Sequence, residues 1–350
     1  MSIVKRYKRY FKQAVMAALI LTTLLVGCES SVNSDAKSEA PTYDTDKYKI
    51  AVLTCGAQMR SSSNQSVWAG ADKFAQESGV TTKWFSAETN AEADAVIEQI
   101  LAEGFTVILN ANGDITKALT EKALENPDVI FAQIDGVLDP AGVANLVSST
   151  IPSEQSGFIA GYIAAYKTET LTVGFLGGTP NTPGYQLEAG FRAGVAFAEA
   201  ETGRSVQLLT DYVGNAYNRD GGYDVMDRLY AGGADIVFVA TGGDTGGGAI
   251  YAAKVLGKLC VTMSDTAYMA PDSVIASVNK KIDQVTYLTA RGICDGTIKG
   301  GAPVFHGLEA GLAGLVHNKN LETKLGAEFI AQVDAVIARV QAGEIAVPSL

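Results

Sequence analysis

The sequence predicts an α/β protein of two Rossmann-like lobes, each built on a parallel sheet covered by helices. Three observations carry this. From Tyr48 onward, short apolar and β-branched runs alternate with segments of helical period. That alternation restarts after Val147, so the chain holds two α/β halves in succession. The composition of the 350 residues includes 37 glycines but only nine prolines, which suits many tight strand–helix turns. With 47% hydrophobic and 19% charged residues, a core for about two domains is available and disorder is not the default.

The elements follow in order. Lys49 to Thr54, Thr106 to Leu109 and Val129 to Ile134 read as buried strands. Helical patterns fall between them over Asn64 to Ser78 and Asn90 to Glu103, the latter with Asn90 as a candidate N-cap. The second half begins with a helix at Glu154 to Tyr166. Strands follow at Leu171 to Leu176, Val206 to Val213, Asp235 to Ala240 and Leu259 to Met263. Helices separate them near Leu187 to Ala200, Tyr223 to Tyr230 and Ala249 to Leu256. A third segment, Val274 to Lys299, adds a strand and a helix, and Glu322 to Ala342 reads as one long amphipathic helix. Continuous apolar strands mean sheets covered on both faces, and such sheets bind ligands at their carboxyl edges. More than one crossing between the lobes is expected. The expected division is 48–147 with 270–302 as the N-terminal lobe, and 148–269 with 303–350 as the C-terminal lobe.

The first 28 residues read differently. Lys5, Arg6, Lys8, Arg9 and Lys12 precede an apolar run from Ala14 to Val26. That run is too short for a comfortable bilayer span but suits a signal-peptide core. It ends in Leu25-Val26-Gly27-Cys28, which resembles a bacterial lipobox. The resemblance implies cleavage before Cys28 and acylation of that cysteine by palmitate-type chains. The alternatives are a secretory leader with an incidental cysteine, or an uncleaved anchor. Residues 29–47 are polar and Ser/Asp-rich, and read as a flexible tether with a reach of roughly 25 Å.

The whole chain has a formal charge of −11, and without the five leader cations it has 22 basic and 38 acidic side chains, net −16. Nucleic acid is therefore not expected as a partner, because a basic face is missing. Anionic headgroups would repel such a surface, so the lipid would have to provide the tether. Catalytic and metal-binding signals are weak. Among four cysteines no CxxC pair occurs, no GxSxG is present, and the two histidines, His306 and His317, lie late in the chain. Cys55, Cys260 and Cys294 read as buried thiols, with a Cys260–Cys294 disulfide as the alternative. The run Gly242 to Gly248 lacks a dinucleotide or P-loop ending and reads as a turn that admits close backbone approach. No catalytic residue, metal or cofactor is expected. An exported two-lobed protein of this kind is most simply a binding protein.

Ser63-Asn64-Gln65-Ser66-Val67-Trp68-Ala69-Gly70 resembles the "SFNQ…WEG" segment of the basic membrane protein (PnrA-like) lipoproteins, substrate-binding components of ABC importers. Further similar stretches follow in order. They include Asn126 to Asp135, Ser156 to Ala165, Val173 to Gly178, Gly190 to Val195, Gly233 to Phe238, Ala270 to Ser277 and Gly343 to Pro348. The likeness covers essentially the whole body. It implies a type I periplasmic-binding-protein-like fold that closes on a small polar molecule, most simply a nucleoside, and hands it to a membrane permease. Carried over position by position, it implies ligand contact from Ser63, Asn64, Asp135, Tyr217, Gly242, Gly243, Asp265 and Lys280. Three positions depart: Ser63 stands where the family has a stacking Phe, and Cys55 and Met263 stand where it has Asp. A sensor of the same fold and a carrier of another solute are the alternative functions, and an enzyme is the least supported.

Overall fold

The computed structural model describes residues 42–55, 62–111, 115–136 and 138–348. The expected leader 1–28 with Cys28, and tether residues 29–41, lie outside the described residues. Tether residues 42–47 are packed on the body. Tyr43 meets Phe74 edge-on at 5.1 Å, and Thr106 Oγ1 donates to Lys47 O at 2.9 Å. The body thus begins before Tyr48, because an aromatic ring in a polar stretch found an apolar surface to cover.

The first sheet contains β1 (Lys49–Cys55), β2 (Thr81–Ala87), β3 (Val107–Asn110), β4 (Ile130–Ile134) and β5 (Leu146–Thr150). Their spatial order is β5-β4-β3-β1-β2, all parallel. Helices α1 (Ser62–Ser78), α2 (Ala93–Ala102) and α3 (Thr116–Glu125) connect them. β2 is an edge strand whose burial alternates, so it escapes a search for continuous apolar runs.

The second sheet repeats the plan with β6 (Thr172–Gly177), β7 (Gln207–Tyr212), β8 (Ile236–Ala240), β9 (Leu259–Thr262) and β10 (Val274–Lys280), in the order β10-β9-β8-β6-β7. Its helices are α4 (Ser153–Lys167), α5 (Thr182–Thr202), α6 (Arg219–Ala231) and α7 (Gly243–Leu256). Side-chain caps start two of these helices. Asn181 accepts from Gly184 N ahead of Pro183, and Asn218 accepts from Gly221 N.

Two assignments of the expected lobe division are corrected. The strand within 270–302, β10, pairs with β9 in the second sheet, not the first. Only the helix that follows it, α8 (Ile282–Asp295), packs on the first lobe, against α1. The short strand β11 (Pro303–Phe305), expected in the second lobe, pairs with β5 in the first sheet. β12 (Ala313–Leu315) then returns antiparallel to β10. The chain therefore crosses between lobes three times: after β5, after β10 and after β11. The physical reason is symmetry of the two sheets. β5 and β10 are equivalent final strands, and each must complete its own sheet before the chain can leave. The expected tail helix is also two helices, α9 (Lys319–Leu325) and α10 (Ala327–Gln341), broken at Gly326 with φ 76°.

Helices approach unusually closely at glycine seams. A Cβ at Gly157 or Gly161 of α4 would collide with the backbone carbonyls of Leu187 or Phe191 on α5. Gly190 and Gly194 of α5 face the carbonyls of Glu154 and Phe158 in return. The same device joins α6 to α7, where Gly222 faces Thr245 O and Gly248 faces Arg219 O. Gly247, by contrast, has room for a methyl, its nearest neighbour being Arg219 Nη1 at 3.5 Å. Gly247→Ala is expected to stabilise by about 0.5–1 kcal/mol through helix propensity. A small rise in the thermal midpoint checks this.

One apolar cluster is shared by both lobes. It runs from Ile50, Val52 and Phe74 through Ile151 and Phe158 to Phe175 and Phe238. The outer faces have separate clusters, around Ile97 and Phe131 in the first lobe and around Met226 and Val237 in the second. The crossings therefore run through a continuous core.

Candidate functional site

The carboxyl ends of β1, β3 and β4 form one rim, and those of β6 to β10 form the other. Under the first rim the sheet is polar but satisfied. Asn110 Nδ2 donates to Gln133 Oε1 at 2.6 Å, and Trp84 Nε1 donates to Thr54 Oγ1 at 2.9 Å. All of Thr54, Asn110 and Gln133 are buried. Under the second rim lies a hydroxyl network. Thr262 Oγ1 meets Ser277 Oγ at 2.9 Å, and Thr266 Oγ1 donates to Thr262 Oγ1 at 3.0 Å.

Asp135 and Lys280, far apart in sequence, are brought together. Asp135 follows β4 and Lys280 ends β10, so the two residues belong to different lobes. Lys280 Nζ donates to Asp135 Oδ1 and Oδ2 at 2.9 and 3.1 Å, and to Ser153 Oγ at 2.9 Å. Both partners are mostly buried, with side-chain exposures of 10% and 15%. Asp135 is one of two non-glycine residues among those described with positive φ, at 48°. Asp tolerates that region better than most residues, at a penalty of order 1 kcal/mol. The ion pair thus sits where two crossings meet. Ser153 opens α4 just after the first crossing, and Lys280 stands at the second. The third crossing is tied to the first by Leu308 N donating to Gln155 Oε1 at 2.8 Å.

The other expected residues are more dispersed. Tyr217, on the loop before α6, is 62% exposed. The Gly242-Gly243 turn lies beside that loop. Gly243 has φ 60°, and a Cβ there would lie 2.5 Å from Ala216 O. The glycine run therefore starts α7 and lets the Tyr217 loop approach. Some of its amides are already used, Thr245 N donating to Ala216 O and Gly246 N to Gly242 O. Ser63 and Asn64 lie in the first turn of α1, Ser63 exposed and Asn64 buried. Asp265 is exposed and accepts from Asn318 Nδ2 at 3.2 Å.

Trp68 and Trp84 are partly buried against the core, and Tyr185 stands edge-on to Tyr212 at 5.9 Å. Arg219 lies over the Tyr251 ring, 5.6 Å from its centroid. Sequence reasoning missed Ser153, Glu154 and Gln155. Their only signal was position, the first turn of a helix that directly follows a lobe boundary.

Cys260 and Cys294 are free and buried, the first in β9 and the second in α8. Burial pushes both thiols up to about 12. The two cysteines are separate free thiols, so the Cys260–Cys294 disulfide kept as an alternative is not formed in this structure. His306 is buried with Nε2 3.0 Å from Ser149 Oγ, whereas His317 is exposed and faces Asp334 at 3.1 Å. Among the described residues no His/Cys/Asp/Glu group suits a metal ion, and no helix is long and apolar enough to cross a membrane.

Two parallel α/β lobes joined by three crossings are the architecture of type I periplasmic solute-binding proteins. Solved structures agree on the fold. A solute-binding protein of an ABC transporter system from Aeropyrum pernix superposes with a TM-score of 0.75, at 19% identity over 87% of this chain and 94% of that one. One from Conexibacter woesei gives 0.68, at 21% identity over 86% and 99%. The family profile described as ABC transporter substrate-binding protein PnrA-like, Bmp, matches residues 47–345, and the chain belongs to that family. Among its relatives, Basic membrane protein A of Borreliella burgdorferi is 29% identical over 95% of this chain and 94% of the relative. The CD4+ T-cell-stimulating antigen of Listeria monocytogenes is 26% identical over 97% and 99%.

Proposed function

We propose that this protein is a lipid-anchored, extracytoplasmic solute-binding component of an ABC importer, and that it closes on a nucleoside between its lobes. The observation that carries the site is the Asp135–Lys280 pair, which joins the two lobes at the carboxyl ends of β4 and β10. A ribose diol offers two hydroxyl donors to a carboxylate, a charge-assisted arrangement. The exposed Tyr217 ring offers a stacking face to a base, worth about 1–3 kcal/mol. Asn64, Asp265 and the Gly242-Gly243 turn complete the rim in this reading, with Ser63 leaving room where the family has a ring. Contacts from both lobes make the closed state the one that ligand selects. The bound solute then passes to the permease.

A thermal-shift panel of purine and pyrimidine nucleosides, followed by calorimetry, tests the ligand. Response to a different solute and to no nucleoside would discard the nucleoside and keep the binding-protein class. Tyr217→Ala is expected to weaken nucleoside binding about tenfold to a hundredfold while leaving the thermal midpoint of the empty protein unchanged. The anchor is tested separately. Radiolabelled palmitate should enter the wild-type chain and not Cys28→Ala, and the variant should leave the membrane fraction. Several acyl chains hold a protein stably where one does not.

A further inference from the structure

Residues 29–47 carry a single aromatic side chain, Tyr43, in a stretch rich in serine and acids. That ring is half-buried against the helix pair α1 and α8. Tyr43 stands edge-on to Phe74 of α1 at 5.1 Å, and Phe74 stands edge-on to Tyr287 of α8 at 6.0 Å. Phe74 is 1% exposed. Tyr287 is held from α1 as well, its hydroxyl donating to Glu77 Oε2 at 2.5 Å and Lys73 Nζ lying 5.0 Å from its ring centroid. Nearer the ligand rim the two helices touch, because a Cβ at Gly70 would collide with the Asp283 carbonyl. Below that contact the rings of Phe74, Tyr287 and Tyr43 fill the groove. The backbone after the ring is bonded in turn. Asp44 accepts from Lys47 N through Oδ1 at 2.9 Å and from Tyr48 N through its carbonyl at 3.0 Å. Thr106 Oγ1 donates to Lys47 O at 2.9 Å and accepts from Lys49 N at 3.0 Å. Lys49 opens β1 and Thr106 directly precedes β3, so these bonds stand at the amino edge of the first sheet, opposite the ligand rim.

We propose that the groove between α1 and α8 is the docking surface for the chain's own tether: residues 42–47 strap the link to the first lobe, so that the first lobe is the one held at the membrane. This rests on the reading that Cys28 carries the anchor. Residues 29–41 alone then separate the anchor from the body. Those thirteen residues span at most about 45 Å, where the nineteen of 29–47 would span about 65 Å. The strap shortens the link and fixes its exit on the side of the first lobe away from the cleft. The second lobe carries no such attachment and is left to swing as the cleft closes.

Trypsin reads the strap in the full-length protein held in detergent. Lys47 has an exposed side chain, but its carbonyl is bonded to Thr106, so cleavage after it requires the strap to open. Mass spectrometry follows the fragment that begins at Tyr48. Tyr43→Ser should speed its appearance about tenfold, since an aromatic contact is lost with its buried area. Tyr43→Phe keeps the ring and should keep the wild-type rate. Equal rates for wild type and Tyr43→Ser would overturn the strap. The length of the link is read in phosphatidylglycerol vesicles that contain dansyl-labelled lipid. Trp68 and Trp84 both lie in the first lobe and serve as energy-transfer donors. The mature chain, net −16, is repelled by that surface, so a longer link lowers transfer. Tyr43→Ser should lower it. Six Gly/Ser residues inserted after Lys37 should lower it too, while leaving cleavage after Lys47 at the wild-type rate. Lower transfer with the insertion but not with Tyr43→Ser, or equal transfer in all three proteins, would also overturn the proposal. Failure of the chain to bind vesicles counts against the anchor reading alone, because the cleavage rates decide the strap without a membrane.

Discussion

Lys280→Met is expected to lower the thermal midpoint by about 6–12 °C and to abolish binding of any solute that engages Asp135. The methionine fills most of the lysine volume, so the effect isolates the charge. Removing one partner of a mostly buried ion pair leaves the other uncompensated, which costs about 3–5 kcal/mol. Here Asp135 would also keep its positive φ without the contact that holds it. Calorimetric unfolding of the empty protein measures the stability part. A change under about 2 °C would mean that the pair behaves as an exposed one, worth at most about 1 kcal/mol. Asp135→Asn should be milder in stability, because the amide oxygen still accepts from the lysine. It should be as damaging to binding, because the amide lacks the charge that strengthens hydroxyl donation.

Gly161→Val should be more destructive still. Gly161 of α4 lies against the Phe191 carbonyl of α5, so the collision is with backbone and not with a side chain that can rotate away. The two helices would have to part, opening the packing around Phe158 and Phe191, both buried. Overpacking against side chains alone typically costs 1–3 kcal/mol, so backbone displacement should exceed that. A drop of more than about 10 °C, or failure to accumulate folded protein, is expected. Circular dichroism melts beside Gly247→Ala make the comparison internal, since Gly247 is also helical but has space. A wild-type midpoint for Gly161→Val would disprove the seam.

This seam lies within two of the stretches that carry the family resemblance. The similar stretches Ser156 to Ala165 and Gly190 to Val195 contain Gly157, Gly161, Gly190 and Gly194, the four glycines that let α4 and α5 touch. In this chain they serve helix packing, and they say little about the ligand. The fold was therefore easier to read than the site.

Local chemistry wrote much of the architecture into the chain. Apolar β-branched runs marked β1, β3, β4, β6 and β8, because strands buried on both faces have no polar side to present. Helix ends were read less well: Asn90, expected as an N-cap, lies inside a short 3-10 turn ahead of α2, and α5 is capped at Asn181, ahead of the expected Leu187. The edge strand β2, half exposed, left no such trace. Lobe membership was beyond local reading as well. β10 and β11 are both short runs, and only hydrogen-bond pairing assigns one to each sheet: β10 joins the nearby β9, whereas β11 joins β5, far back in the chain. The same holds for the site. An aspartate after one strand and a lysine ending another were visible one at a time, and the serine that joins them was not. Their meeting at the crossings was decided by three separate chain passages converging on a buried place. There a charge must find its partner, since water is no longer available to replace it.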